Sequence, residues 1–191
     1  MPIIGINSSA KSGNLTLIPP YQAYESIASF TSAGSAGNIT FNSIPATYQH
    51  LQLRGILRTN DTGGFNNQPM TFNSDTTAGN YKSHQMRGDG TTASSGVVAG
   101  SSNFNDFMRA ASASMTAGIF SQVIIDILDY ANTNKYKTFR AFEGGDANGS
   151  GSIGLSSGVW MSTNAINTIT ISPSGGTPIV YSSLALYGIK G

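Results

Sequence analysis

The chain is 191 residues long, and only 10% of its residues are charged, whereas hydrophobic residues make up 39%. This length suits one domain with a sizeable core, and the shortage of charge excludes coiled coils and helical repeats, which are rich in Glu, Lys and Leu. Apolar residues are too frequent for a disordered chain, so uncharged Ser, Thr and Asn are expected to supply most of the wet surface.

The ten basic and nine acidic residues leave a net charge of +1 and are spread along the chain from Lys11 to Lys190. Because the basic residues form no cluster that could neutralise a row of phosphates, nucleic acid is not expected as a partner. The sequence has no apolar run of about 18 residues and no signal-peptide pattern at its start. We therefore expect synthesis in the cytoplasm and no membrane association. The lack of cysteine excludes disulfides and thiolate chemistry.

Residues 1–20 differ from the rest of the chain, because prolines and glycines interrupt them and alternation is weak. Proline fixes φ and lacks an N–H donor, so this segment is predicted to be an extended N-terminal arm. Two interpretations stay open: a strand tucked against its own domain, or an arm that docks on a neighbouring subunit. The candidate partner-binding residues are the apolar side chains of the arm, Ile3, Ile4, Ile6, Leu15, Leu17 and Ile18.

From residue 24 onward, apolar and polar residues alternate with a period of two, which is typical of half-buried strands. Leu51 and Leu53 alternate with Gln52 and Arg54, and Arg58 continues the polar face of the same strand. Turn-forming sequences rich in Gly, Asn and Asp separate such runs. The predicted strands lie near 24–32, 37–44, 48–59, 69–74, 80–87, 118–130, 136–143, 152–162, 165–172 and 179–189.

This many short strands without a helical layer predict an all-β fold: an antiparallel β-sandwich, jelly-roll-like, formed as a single domain by residues 21–191. The tract 88–116 has little pattern. Within it, residues 105–113 are a candidate short helix that turns Phe104, Phe107 and Met108 inward.

The apolar run at 119–128 fits either a helix or a strand that is buried on both faces. Its β-branched residues, and the turn Asn132-Thr133-Asn134 that follows, favour the strand and a hairpin around that turn. The only tryptophan, Trp160, lies within a predicted strand and is expected to pack in the core.

The sequence offers little chemistry. Neither His50 nor His84 has a second ligand at metal-binding spacing, and serine is abundant without the strand–turn–helix context of a nucleophile elbow. The segment Asp146-Ala147-Asn148-Gly149 is interpreted as a turn, because it lacks the ligand alternation of a calcium loop. We therefore expect no catalytic residue, no metal and no cofactor.

Four stretches carry a family resemblance, and together they span most of residues 24–191. They are FNSIPATYQHLQLR at 41–54; TFNSD at 71–75 with Asn80, Tyr81 and His84; ILDYANTNKYKT at 127–138; and GVWM at 158–161 with ITI at 169–171 and SLALYGIKG at 183–191. In these stretches the chain resembles small jelly-roll-like virion proteins of tailed bacteriophages, of the capsid decoration (cement) or tail-fibre type.

This resemblance implies a structural virion protein without enzymatic activity. The expected function is that of a decoration protein that forms homo-oligomers, with a trimer favoured, and binds the outer surface of the major capsid protein shell. The alternative is a tail or fibre module that binds a host-surface carbohydrate. Either function places the mature protein in the virion.

Overall fold

The structure is a computed structural model that describes residues 23–35 and 37–191. Thirteen strands form in this part of the chain, and each runs antiparallel to its sheet neighbours. In chain order they are β1 Tyr24–Thr31, β2 Ile39–Phe41, β3 His50–Leu57, β4 Asn66–Asn67, β5 Met70–Phe72, β6 Tyr81–Gly88, β7 Ala93–Ser101, β8 Arg109–Ala110, β9 Ser121–Leu128, β10 Lys137–Asp146, β11 Gly151–Trp160, β12 Ile169–Ile171 and β13 Ser183–Ile189.

One large sheet dominates the fold. It has eight strands in the order β1-β13-β3-β9-β10-β11-β6-β7. Successive side chains point to opposite faces of a strand, so the alternation read from the sequence sorts residues between two faces. In β3, Leu51 and Leu53 are buried on the inner face, while Gln52 and Arg54 lie on the outer face.

The second layer covers the inner face of the large sheet. It consists of the three-stranded sheet β2-β12-β5, the two-stranded sheet β4-β8 and the loops around them. In β2, β5 and β12 the two end residues of each strand are buried and join the core of the large sheet. The two layers form an all-β antiparallel sandwich, which confirms the predicted fold class.

Aromatic rings fill the centre of the core. The Phe104 ring packs edge-on against Phe139 at 4.5 Å and against Tyr81 at 4.8 Å between centroids. Trp160 is 1% exposed and packs edge-on against Phe72, which confirms its predicted place in the core. Its indole N–H donates a 2.7 Å hydrogen bond to Asp75 Oδ2, so the one polar atom of this ring has a partner.

All ten predicted strands are present, and the turn at 132–134 joins β9 to β10 as predicted. The predicted short helix at 105–113 is wrong. Asp106 has a φ of 68°, a left-handed conformation that ends any right-handed helix at this point, and the chain continues into β8. Phe104, Phe107 and Met108 do face inward, with exposed fractions of 0–1%.

Arg58 departs from its predicted position on a polar strand face, because it is only 5% exposed. The segment from Ala113 to Ile119 folds over it, and the guanidinium donates hydrogen bonds to the carbonyls of Met115, Thr116 and Ile119, each at 2.8 Å. A loop distant in sequence therefore buries a charge that local alternation assigns to solvent.

The predicted N-terminal arm, residues 1–20, lies outside the described residues. No helix in the described part of the chain is long and apolar enough to cross a membrane.

Asp75 makes the stability of this core dependent on pH. Partial burial alone would raise the pKa of Asp75, but hydrogen bonds from Asn80, Thr77 and Trp160 outweigh burial and lower the pKa to about 2. A carboxylate with a lowered folded-state pKa stabilises the fold above its unfolded pKa and loses this contribution as the pH falls through the folded value. The free energy of unfolding is therefore expected to fall between about pH 4 and pH 2.

The measurement is a set of urea melts across that pH range for the wild type and Asp75→Asn. The variant should be less stable at pH 6 and should lose less stability on acidification, because the amide does not titrate. Asp61→Asn, which changes a partly exposed carboxylate in the loop between β3 and β4, is the matched control and should keep the wild-type slope. Equal acid losses in Asp75→Asn and the wild type would contradict the assignment.

Candidate interaction surface

A row of apolar side chains crosses the outer face of the large sheet. Ile124 in β9 lies opposite Phe142 in β10, Phe142 opposite Leu155 in β11, and Leu155 opposite Met86 in β6. Their exposed fractions rise along the row from 38% and 44% to 50% and 60%. Four neighbouring strands thus present one large apolar residue each, at the same level, to solvent.

Ile153 widens this row toward the C-terminal end of β10. It is 53% exposed, and its side chain lies over Gly144, where a Cβ would be 3.8 Å from Ile153 Cγ1. We name Ile124, Phe142, Leu155, Met86 and Ile153 the outer stripe. The solvent face of an antiparallel sheet is usually polar, and contiguous exposed apolar patches on monomers commonly mark binding sites.

Charged residues lie on both sides of the outer stripe, and their sign differs. On one side, Lys82 is exposed and Arg140 forms a 2.9 Å ion pair with Asp126. On the other side, Asp89 and Asp146 are exposed at the ends of β6 and β10. We name Lys82 with Arg140 the basic end, and Asp89 with Asp146 the acidic end, of the outer face.

An open groove of about 780 Å³ borders the stripe at its acidic end. Three segments at strand ends and in the adjoining loops line it, within 88–90, 118–122 and 144–153, and most of the lining residues are glycine or small polar residues. Phe120 is the only aromatic side chain in this lining, so the groove has few large side chains that could contact a ligand.

A stacked pair of tyrosines lies at the edge of the same face. The rings of Tyr24 and Tyr187 are 4.8 Å apart between centroids at an interplanar angle of 30°. The Tyr24 hydroxyl donates to the side-chain carbonyl of Gln52, whose amide donates a 2.7 Å hydrogen bond to Asp126. This corner combines aromatic faces with hydrogen-bonding groups.

A cluster of charged residues lies inside the sandwich, away from the outer face. Glu143 is 1% exposed, and its Oε1 lies 3.4 Å from Arg87 Nε, while Arg87 Nη1 donates to Asp106 Oδ1 at 3.0 Å. Burial raises the pKa of Glu143, and the nearby positive charges of Arg87 and Arg109 oppose that rise. These contacts link β6, β10 and the Asp106 turn.

The residues that sequence reasoning considered for chemistry do not converge. His50 begins β3, where its Nδ1 accepts a 3.0 Å hydrogen bond from the Asp129 amide. His84 is exposed on β6, and three strands of the sheet, β9, β10 and β11, lie between β3 and β6. The predicted partner-binding residues Ile3, Ile4, Ile6, Leu15, Leu17 and Ile18 lie outside the described residues.

The outer stripe was missed by sequence reasoning, although a signal for it exists. The run at 119–128 has the pattern of a strand buried on both faces, and the structure confirms the strand. Val123, Ile125 and Ile127 are buried, whereas Ile124 and Leu128 on the outer face are each 38% exposed. The pattern indicates two covered faces, and the described chain covers one of them.

No family model, curated protein or solved structure matches this chain. The fold and the surface define its class: an all-β antiparallel sandwich with an apolar outer face.

Proposed function

We propose that the protein is a phage virion structural protein, a capsid decoration protein that forms homo-oligomers and binds the outer surface of the major capsid protein shell. The observation that carries this proposal is the outer stripe, a row of half-exposed apolar side chains on four paired strands. The resemblance to small virion proteins supports the same function. The absence of enzymatic activity remains a prediction.

A rigid apolar sheet face suits a protein that works by association. Burying apolar surface stabilises a complex by roughly 25 cal/mol per Å², and the backbone of paired strands is already ordered before a partner binds. The outer stripe therefore offers binding free energy with little reorganisation, as a component of a repeating shell requires.

The edge strand β7 supports the same function. Its nine residues, Ala93–Ser101, contain no charged residue and no proline, and among the described residues only β6 pairs with it. Edge strands commonly carry charge or proline that blocks further pairing, so an unprotected edge is suited to strand addition by a partner chain.

Deletion of residues 1–20 tests the attachment to the capsid. We expect the truncated protein to fold but to lose binding to bare capsid shells, because the apolar residues of this segment are the predicted capsid contact. Co-sedimentation of purified protein with shells measures binding, and a thermal melt checks folding. Undiminished binding of the folded, truncated protein would contradict the proposed attachment.

A second candidate function rests on the stacked Tyr24 and Tyr187 rings. Aromatic faces beside hydrogen-bonding groups bind sugars, so this corner supports a tail or fibre module that binds a host-surface carbohydrate. A glycan array separates the two functions: saturable binding that is lost in Tyr24→Ala and kept in Tyr181→Ala would favour the carbohydrate module.

A further inference from the structure

We propose that the outer stripe binds a second copy of this chain, face to face, about a two-fold axis that runs along the row Ile124–Phe142–Leu155–Met86. This inference rests on the proposed function in one respect, that the protein works by assembly. It adds the partner, the surface and the symmetry of the contact, and a two-fold pair differs from the trimer favoured by the family resemblance.

The burial pattern of β9 is the first support. Two of its four outward residues, Ile124 and Leu128, are large and apolar although the inward face of the strand is buried, which is unusual for a face open to solvent. Phe142, Leu155 and Met86 continue the outward apolar row across three further strands. A second sheet packed on this face would complete the burial that the composition indicates.

The symmetry follows from the shape of the stripe. Two sheets pack face to face about 10 Å apart with their strands nearly aligned. A two-fold axis along the row places Ile124, Phe142, Leu155 and Met86 each near the same residue of the second copy, so the apolar side chains of the row meet one another. The contact is self-complementary and closes at two copies.

Two two-fold axes lie in the plane of the contact, one along the row and one along the strands, and the charges favour the axis along the row. Rotation about the row exchanges the two sides of the stripe, so the basic end of one copy faces the acidic end of the other. Lys82, four residues before Met86, then lies near Asp89 of the second copy, which is three residues after Met86. An axis along the strands would instead place basic against basic and acidic against acidic, which is unfavourable.

The area of this face fits a stable pair. The four strands that carry the row, β9, β10, β11 and β6, are eight to ten residues long. At about 4.8 Å between strands and 3.3 Å per residue they give a face of about 19 by 26 Å. Two such faces bury on the order of 1,000 Å², about the smallest area expected of a specific protein interface.

The first test measures oligomeric state by sedimentation equilibrium on the full chain. We expect the wild type to form dimers, and Phe142→Thr with Leu155→Thr to weaken the dimer at least about tenfold, since threonine keeps strand propensity while removing apolar area. Tyr136→Thr is the matched control: Tyr136 is 48% exposed but lies in the β9–β10 turn. A monomeric wild type, a trimer, or an unchanged dimer in the double variant would overturn the proposal.

The second test addresses the axis. In a symmetric pair, Lys82→Glu places the new glutamate near Asp89 of the second copy, and Asp89→Lys places the new lysine near Lys82 of the second copy. Each change creates two repulsive contacts, so each variant alone should dimerise more weakly than the wild type. A mixture of the two variants places opposite charges together at both positions, and should form heterodimers that restore wild-type affinity. A mixture no tighter than either variant alone would exclude this axis.

The other occupants of the stripe give distinct results. If residues 1–20 cover their own outer face, the full chain is a monomer and the truncated chain is a dimer, and the proposal fails. If the capsid covers it, the full chain is a monomer and the Phe142→Thr, Leu155→Thr variant loses capsid binding. A dimer that does not bind capsid shells upholds this inference and contradicts the proposed function, so the two failures are distinguishable.

Discussion

Replacing Trp160 with alanine is expected to lower the free energy of unfolding by about 3–5 kcal/mol, as for other large-to-small changes in protein cores. Trp160 is 1% exposed and lies between the aromatic rings of Phe72 and Tyr81. Its removal would leave a large cavity and would also deprive Asp75 of a hydrogen-bond donor. Denaturant melts at neutral pH measure the change.

Trp160→Phe separates the two causes. It keeps most of the apolar volume and removes the indole N–H, so its cost should approach that of the hydrogen bond to the Asp75 carboxylate alone, about 1.5–3 kcal/mol. A loss below about 1 kcal/mol in the alanine variant would show that the ring contributes little to the core. Equal losses in both variants would show that the hydrogen bond, and not the volume, accounts for the effect.

The strands were predictable because their signal is local. In β3 the alternation of Leu51 and Leu53 with Gln52 and Arg54 is visible in the sequence, and it places the two faces of the strand as the structure does. Where the pattern is absent, as in Ala93–Ser101, small residues without alternation still form the edge strand β7. Pairing with β6, over residues such as Met86 and Arg87, holds this strand in place.

The features that sequence reasoning missed depend on contacts between distant segments. Asp106 adopts its left-handed φ within a turn that Arg87 and Gln85 anchor by hydrogen bonds from β6, about twenty residues earlier. No local pattern predicts that anchor, so the apolar spacing around it resembles a helix. The burial of Arg58 is of the same kind, since the loop that covers it begins more than fifty residues later.

The outer stripe lies between these two cases. Its strands were predicted, but the register that aligns Phe142 with Leu155 and Met86 is a property of the sheet. The apolar residues of 119–128 favour a strand buried on both faces, but sequence alone does not distinguish a face covered by the same chain from one covered by another. Exposure in the folded chain makes that distinction.

Replacing Arg58 with methionine is expected to lower the free energy of unfolding by about 3 kcal/mol, because hydrogen bonds to a charged group are worth about 1.5–3 kcal/mol each and are not additive. The guanidinium of Arg58 donates to four carbonyls, those of Ala113, Met115, Thr116 and Ile119. Methionine retains the apolar stem and leaves these carbonyls without their donor. Arg54→Met, on the exposed face of β3, is the control and should change stability by less than about 0.5 kcal/mol.

Hydrogen exchange gives the local readout of the same change. The amides of residues 113–120 should exchange faster in Arg58→Met than in the wild type. The exchange rates of the β9 and β10 amides should rise only by the amount that the loss of global stability accounts for. Arg58→Lys should give an intermediate result, because an ammonium group has three donors but lacks the planar fork that reaches both sides of the loop. Unchanged exchange in this loop would show that backbone contacts such as Thr59 to Ala111 hold it, and that the arginine fills space without organising the carbonyls around it.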